Sequence, residues 1–487
     1  MQHFRPYREQ TVGTDATFHG PYGEKRILYA DWIASGRLYA PIERQMRDVF
    51  GPFVANTHSE SSITGTTMTH AYHHAHQVLK RHVNAGPDDV ILTPGTGMTA
   101  AVCKLQRILG LSVPDQACKY VSMPDADRPV VFITHMEHHS NQTSWLETLA
   151  DVVVIGHDEN GLADVDSLRE NLHAHRDRRM KIGSFTGCSN VTGVSTPYRE
   201  LARAMHEAGG WAFVDFAASA PYVDIDMHPA DPLEKLDAVF FSPHKFLGGP
   251  GSPGVLIFDK ALYRNRVPDV PGGGTVAWTN PWGEHSYVDD IEAREDGGTP
   301  GFLQAIRAAL AVKLKEEMGT DKIAAREHEL LARALPAMRS MRGVHVLAEH
   351  LAERIGVVSF YVEDVHYNLV VKLLNDRFGI QVRGGCSCAG TYGHFLLHVD
   401  RNRSRQITER IDAGDLSAKP GWVRLSLHPT MTDNELAFTL DALEQTVRNA
   451  SAWAEDYRYD PQTNEYYHLS GTGVPAVQDW FELRTLV

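Results

Sequence analysis

The feature that most constrains this chain is a succession of short apolar runs, each set apart from the next by a segment of helical length. Val90-Ile91-Leu92-Thr93, Val130-Val131-Phe132-Ile133, Val152 to Ile155, Trp211-Ala212-Phe213-Val214, Val239-Phe240-Phe241 and Val255-Leu256-Ile257-Phe258 are such runs. Several are apolar on both alternating faces, which predicts strands buried on both sides. Helical patterns over Met98 to Leu109, Asp164 to His175 and Tyr198 to Ala208 fall between them. Strands alternating with helices predict a mostly parallel sheet covered by helices on each face. Open sheets of that kind place ligands outside the carboxyl ends of their strands. Asn190, Asp215, Ser242, His244 and Lys245 fall at such ends.

A chain of 487 residues is too long for one core;. After about residue 296 the pattern becomes that of a smaller α+β unit. Helices are expected over 302–318, 321–339, 367–378 and Thr432 to Asn449, the last opened by a Thr432/Glu435 capping box. Strands are expected over 344–348, 356–362 and Trp422 to Leu427. The expected division is an N-terminal segment 1–40 packing with the small domain, a large cofactor-binding domain 41–295, a small α+β domain 296–450 and an aromatic-rich tail 451–487. A net charge of −14 argues against nucleic-acid binding;. No apolar run approaches the roughly 18 residues of a membrane helix. The N-terminus has no secretory apolar region, and five cysteines make no disulfide framework, so a cytoplasmic location is expected;.

Lys245 follows a buried strand and precedes Phe246-Leu247-Gly248-Gly249. Partial desolvation there disfavours the ammonium and makes the amine a better nucleophile, which is what an imine-forming lysine needs. Pro94-Gly95-Thr96-Gly97 opens a helix, leaving backbone N–H groups and the positive dipole end free for a phosphate. An aspartate at a neighbouring strand end suits a pyridinium nitrogen, and a histidine suits stacking on a ring. Together these needs are those of pyridoxal phosphate. His70, His73, His74, His76 and His82 share one helical stretch. No acidic or cysteine partner lies near them in sequence, so a solvated or interface face is expected rather than a metal site.

From about residue 25 to 448 the chain resembles the class V aminotransferase group of fold-type I enzymes, most closely its cysteine desulfurase and selenocysteine lyase branch. The motifs that carry the likeness are Val214-Asp215, Ser242-Pro243-His244-Lys245 and Arg383-Gly384-Gly385-Cys386-Ser387-Cys388-Ala389-Gly390. The resemblance implies a large domain built on a seven-stranded sheet and a smaller α+β domain. It implies that Lys245 carries the cofactor, that Asp215 pairs with the pyridinium, that His138 stacks on the ring and acts in catalysis, and that Asn190 bonds the ring hydroxyl. Thr96, Gly97, Ser242 and His244 would hold the phosphate, and Thr299 would reach the phosphate of a second subunit in a homodimer. Arg424, with Arg383 and Asn190, would bind the substrate carboxylate.

Cys388 on its glycine-rich loop implies the reaction, because a thiolate attacks sulfur readily. The implied activity is a cysteine desulfurase. It would take sulfur from L-cysteine as a persulfide on Cys388, release L-alanine and pass the sulfur to an acceptor protein. An aminotransferase, epimerase or lyase acting on another amino acid, selenocysteine lyase included, stays open beside it, as does a non-enzymatic sulfur-relay or scaffold role. Two departures stand out. Ala218 occupies a position where the family usually has glutamine, so one bond to the cofactor's ring hydroxyl is either absent or supplied by Ser219. Cys386 adds a second thiol to the loop, able to receive sulfur or to stay inert. With His394 and His398 downstream the Cys-x-Cys pair has a zinc-like composition, but the family explains the loop better and no metal is expected. Cys103, Cys118 and Cys188 read as structural thiols.

Overall fold

The computed structural model describes residues 1–57, 60–471 and 477–483. Its centre is a seven-stranded sheet in the order Asp89–Leu92, Val255–Asp259, Ala238–Phe241, Trp211–Asp215, Lys181–Thr186, Val130–Ile133, Asp151–Val154. Neighbouring strands run parallel from Ala238–Phe241 to the Asp151–Val154 edge. Val255–Asp259 is antiparallel to both its neighbours. The expected fold class, a mostly parallel seven-stranded sheet beside a smaller α+β unit, is what forms.

The double-sided apolar strands have a direct structural cause. Phe132, Val214, Val239 and Ile257 point into a core shared with the helices Ile63–His82 and Phe302–Met318. Val131, Phe213, Phe240 and Leu256, one residue out of phase, point into a second core under the helix Met98–Ile108. Each such side chain withdrawn from water contributes about 1.5–3 kcal/mol, so both faces of the sheet are held.

The smaller unit is an antiparallel sheet in the order Val344–Val346, Val357–Val362, Trp422–Ser426, Arg383–Gly385. One face packs on the helices Thr320–Ser340, Tyr367–Phe378 and Asp433–Ala454, and the last of these opens with the Thr432/Glu435 capping box. The N-terminal strand Leu28–Tyr29 pairs in parallel with Ile380–Gln381 and joins this unit's core.

The helix Phe302–Met318, grouped by sequence with the smaller unit, packs its Ala305, Ala308, Ala309 and Val312 into the large core. Residues 112–129 contain a short helix, Asp115–Cys118. In the tail, Tyr457–Asp460 and Glu465–His468 form a hairpin whose Tyr459 and Tyr466 pack with His366. Residues 472–476 and 484–487 of the expected tail lie outside the described residues.

Candidate active site

The strand Ala238–Phe241 is wholly buried and ends at Ser242, where Pro243 starts a tight turn that ends on Lys245. The next chain segments press closely on that turn. A Cβ on Gly249 would lie 1.8 Å from the Pro243 carbonyl oxygen, and one on Gly36 would lie 2.0 Å from that of Phe246. Only glycine permits those approaches, and they fix the lysine's backbone.

Burial holds the Lys245 ammonium down at about 8, helped by Arg424 and Arg383 and opposed by Asp215 and Asp31;. The amine makes no hydrogen bond among the described residues and lines a cavity of about 300 Å³. Asp215 closes its strand at the same cavity. Burial pushes its carboxyl up to about 6, against the pull of the Ala217 N–H and of Lys245. Asp215 Oδ1 accepts the Ala217 N–H at 2.8 Å, which fixes the carboxyl's rotation.

His138 caps the helix His139–Leu146, its Nδ1 accepting the Ser140 N–H at 3.1 Å. Burial and then Lys245 push it down to about 3, so the ring is neutral at physiological pH. A neutral, half-buried imidazole fixed at its edge presents a flat face for stacking.

The anion end is built from backbone. Gly95 has φ +53°, Thr96 is exposed, and the helix Met98–Ile108 starts with the Met98 N–H donated to Ser242 Oγ at 2.8 Å. A Cβ on Gly97 would lie 3.3 Å from Ser242 Oγ and 3.6 Å from His244 Nε2. The missing side chain therefore leaves a small cradle between a helix N-terminus, a hydroxyl and an imidazole, which is the donor set a phosphate takes.

Arg424 is 2% exposed and projects from the face of the smaller sheet that looks toward the large one. Its Nη2 donates to Asp31 Oδ1 at 2.8 Å and its Nη1 to the Asn190 carbonyl at 3.2 Å, while its buried Nε has no partner among the described residues. Arg383 faces it across the strand pair and reaches the same cavity. Asn190 donates to the Ser387 carbonyl at 2.8 Å and keeps a buried, unpartnered Oδ1. Lys245, Arg383 and Arg424 against Asp215 and Asp31 leave the cavity cationic, as an anionic ligand requires;.

Cys388 also lines this cavity. Its loop is held in an uncommon backbone state, with Ser387 at φ +51° and Cys388 at φ +56°. Two consecutive non-glycine residues in the left-handed region cost of order 1–3 kcal/mol each and persist only where contacts over-determine them. Those contacts are present. His139 donates its backbone N–H to the Cys388 carbonyl at 2.8 Å and accepts the Gly390 N–H on Nε2 at 2.9 Å, while Asn190 holds Ser387. Cys386 points elsewhere, into an apolar cluster with Met136, Tyr392 and Trp422. Cys188 reaches the cavity wall, but burial pushes its thiol up, and its Sγ donates to the Gly193 carbonyl at 3.1 Å.

Thr96, Gly97, His138, Asn190, Asp215, Ser242, His244, Lys245, Arg383, Cys388 and Arg424 thus line one cavity. Thr299 does not; it is exposed on this chain's own surface. Ala218 lines the cavity and Ser219, with an unpartnered Oγ, lies behind it. Among the clustered histidines, His76 is buried while His70, His73 and His74 are exposed. Sequence reasoning missed Asp31 and His139 as site residues. Asp31 follows the short strand Leu28–Tyr29 and meets Arg424, 393 residues away, and only the strand-end position hinted at it.

A family model described as aminotransferase class-V matches residues 28–438. A probable cysteine desulfurase of Halalkalibacterium halodurans is 28% identical over 368 residues, covering 74% of this chain and 84% of that protein. One from Staphylococcus epidermidis is 29% identical over 370 residues, covering 75% and 84%. In three dimensions the chain is similar to the apo structure of a cysteine desulfurase from Thermococcus onnurineus NA1. The TM-score is 0.70 at 22% identity, over 87% of this chain and 95% of that one.

Proposed function

The chain belongs to the aminotransferase class-V family, and on that premise we propose that it is a pyridoxal-phosphate-dependent cysteine desulfurase that converts L-cysteine to L-alanine. The observation that carries this reading is that Lys245 and Cys388 line the same small cavity. Its donor set fits the cofactor: a desolvated amine, a buried carboxylate, a neutral imidazole face, an unpartnered amide oxygen on Asn190 and the Gly97 cradle.

When bound, pyridoxal phosphate supplies an aldehyde for amine condensation and a ring that draws electrons from the substrate's Cα. The chain's own residues do the rest. Thr96, Gly97, Ser242 and His244 hold the phosphate, Asp215 keeps the ring nitrogen protonated, and His138 covers one ring face. Asn190 bonds the ring hydroxyl, with no help from Ala218. Arg424 and Arg383 orient the substrate carboxylate, a fork geometry suited to guanidinium. Lys245, as a free amine in the cavity, would take the Cα proton.

Cys388 then attacks the substrate sulfur as a thiolate. An S–S bond forms as the Cβ–S bond breaks, the electron pair left on Cβ takes a proton, and Lys245 returns the proton it took to Cα. Alanine leaves, and Cys388 keeps a persulfide for an acceptor. The reading includes a cytoplasmic homodimer in which Thr299 serves the partner's phosphate. All five thiols are free, the state a reducing compartment maintains;. No helix among the described residues is long and apolar enough to cross a membrane.

The test is alanine formation by the cofactor-loaded protein given L-cysteine and dithiothreitol. Cys388→Ala should lower it by about 100-fold or more, as loss of a nucleophile does. Cys386→Ala, whose thiol faces away, should stay within a few-fold. Equal alanine formation without Cys388 would transfer the protein to the lyase reading, and turnover of cysteine without alanine to the aminotransferase reading.

A further inference from the structure

The sheet face that turns Ser359 and Arg424 toward the cofactor cavity continues past it. Two residues beyond Ser359 it presents Tyr361, stacked at 4.8 Å on His345 of the edge strand;. Over this end lies a second, wider groove of about 700 Å³. Its walls are the helix Gly390–Leu396 with the residues after it, the Leu347–Leu351 loop, and Asn160-Gly161 of the large unit. That helix starts two residues after Cys388, and its seven residues span only about 10 Å;.

The groove is cationic. Arg403 and Lys419 line it, and neither side chain has a hydrogen bond or an ion pair among the described residues. Among the described residues its one acidic lining residue, Glu349, is already 3.6 Å from Arg339. Arg403 belongs to the helix Arg401–Asp412, which also exposes Arg401 and Arg405 and buries only Ile407. That helix is tied to the Cys388 side by His394 Nε2 and Ser404 Oγ, 2.8 Å apart. In a chain of net charge −14, unpaired cations gathered beside the reactive loop reverse the local sign;.

We propose that this groove docks a carboxylate-rich segment of the protein that accepts sulfur from Cys388; the proposal rests on the desulfurase reading. The net negative charge of the chain disfavours non-specific approach of an acidic partner, so the groove sets both its approach and its register;. In the transfer the acceptor's thiolate attacks the outer sulfur of the Cys388 persulfide. The new S–S bond forms on the acceptor as the bond to Cys388 breaks, and Cys388 leaves as a thiolate.

The probe is a fluorescent ten-glutamate peptide ending in a Gly-Ser spacer and one cysteine, against a control in which glycine and serine replace the glutamates. The holoenzyme with L-cysteine should persulfidate the acidic peptide at least tenfold faster than the control at low salt. That advantage should vanish at high salt and in the Arg403→Glu/Lys419→Glu double variant. The same variant should keep alanine formation with dithiothreitol within twofold. Equal rates for the two peptides, or an advantage that survives the double variant, would overturn the proposal. So would displacement of the acidic peptide by micromolar pyrophosphate, which would make the groove a small-anion site. Peptide binding by anisotropy needs no turnover. Binding lost in the double variant, with no alanine from the unaltered enzyme, would sink the desulfurase reading and the acceptor assignment while leaving a carboxylate-binding groove.

Discussion

Lys245 shows how one residue's environment sets its chemistry. A solvated lysine is almost wholly protonated at neutral pH, but burial lowers this one to about 8, so near that pH half the amines are free;. The sign follows directly: below about 8 the ammonium dominates and cannot attack an aldehyde, and above it the free amine does. For the cofactor-free protein, capture of pyridoxal phosphate followed by absorbance should rise with pH and level off above about 8. A profile still climbing at pH 10 would mean a solvated lysine. Asp215 is the largest influence holding that pKa up, because its charge favours the ammonium. Asp215→Asn should therefore move the inflection to lower pH, by about one unit. The opposite direction would show that the two groups do not face one another.

At the scale of elements, the phosphate cradle gives the cleanest test. Gly97 has an extended backbone, φ 176°, that any residue adopts, so alanine there brings no backbone strain and only a methyl group, 3.3 Å from Ser242 Oγ, into the cradle. Gly97→Ala should weaken pyridoxal phosphate binding by about tenfold or more, read by equilibrium dialysis, and shift Tm of the cofactor-free protein by less than about 2 °C. A large fall in Tm with unchanged binding would make the glycine a packing residue. This turn was legible in the sequence because glycine, a strand and a helix start lie within a few residues. The central strands were legible for a similar reason: two buried faces leave a continuous apolar run. What stayed hidden was long-range. Nothing local in Leu28-Tyr29 announces its pairing with Ile380-Gln381, nor in Asp31 its bond to Arg424. The His139 strap on the Cys388 loop joins residues about 250 apart, and Phe302–Met318 looks like any amphipathic helix until the sheet it covers is known.

For the whole molecule, the question is whether one chain makes a complete site. Thr299 is exposed, and its neighbour Gly298 donates to the Gly273 carbonyl at 2.8 Å, which sets Thr299 beside the hairpin of Val276–Thr279 and His285–Tyr287. On that hairpin and in the segment before it, Val267, Val270, Trp278 and Trp282 are 55, 50, 52 and 82% exposed. Exposed apolar side chains of that size suit an interface, and the homodimer proposed above would cover them. If Thr299 then serves the partner's phosphate, Lys245→Ala and Thr299→Glu damage different sites of the same dimer. Each variant alone should be nearly inactive. After mixing and exchange of subunits, half the dimers are mixed, and each mixed dimer owns one site with an intact lysine facing an intact threonine. Alanine formation should recover to about a quarter of the unaltered rate. No recovery in a mixture whose exchange is verified by mass would place Thr299 in its own chain's site, and recovery without any dimer on sizing would exclude subunit sharing altogether.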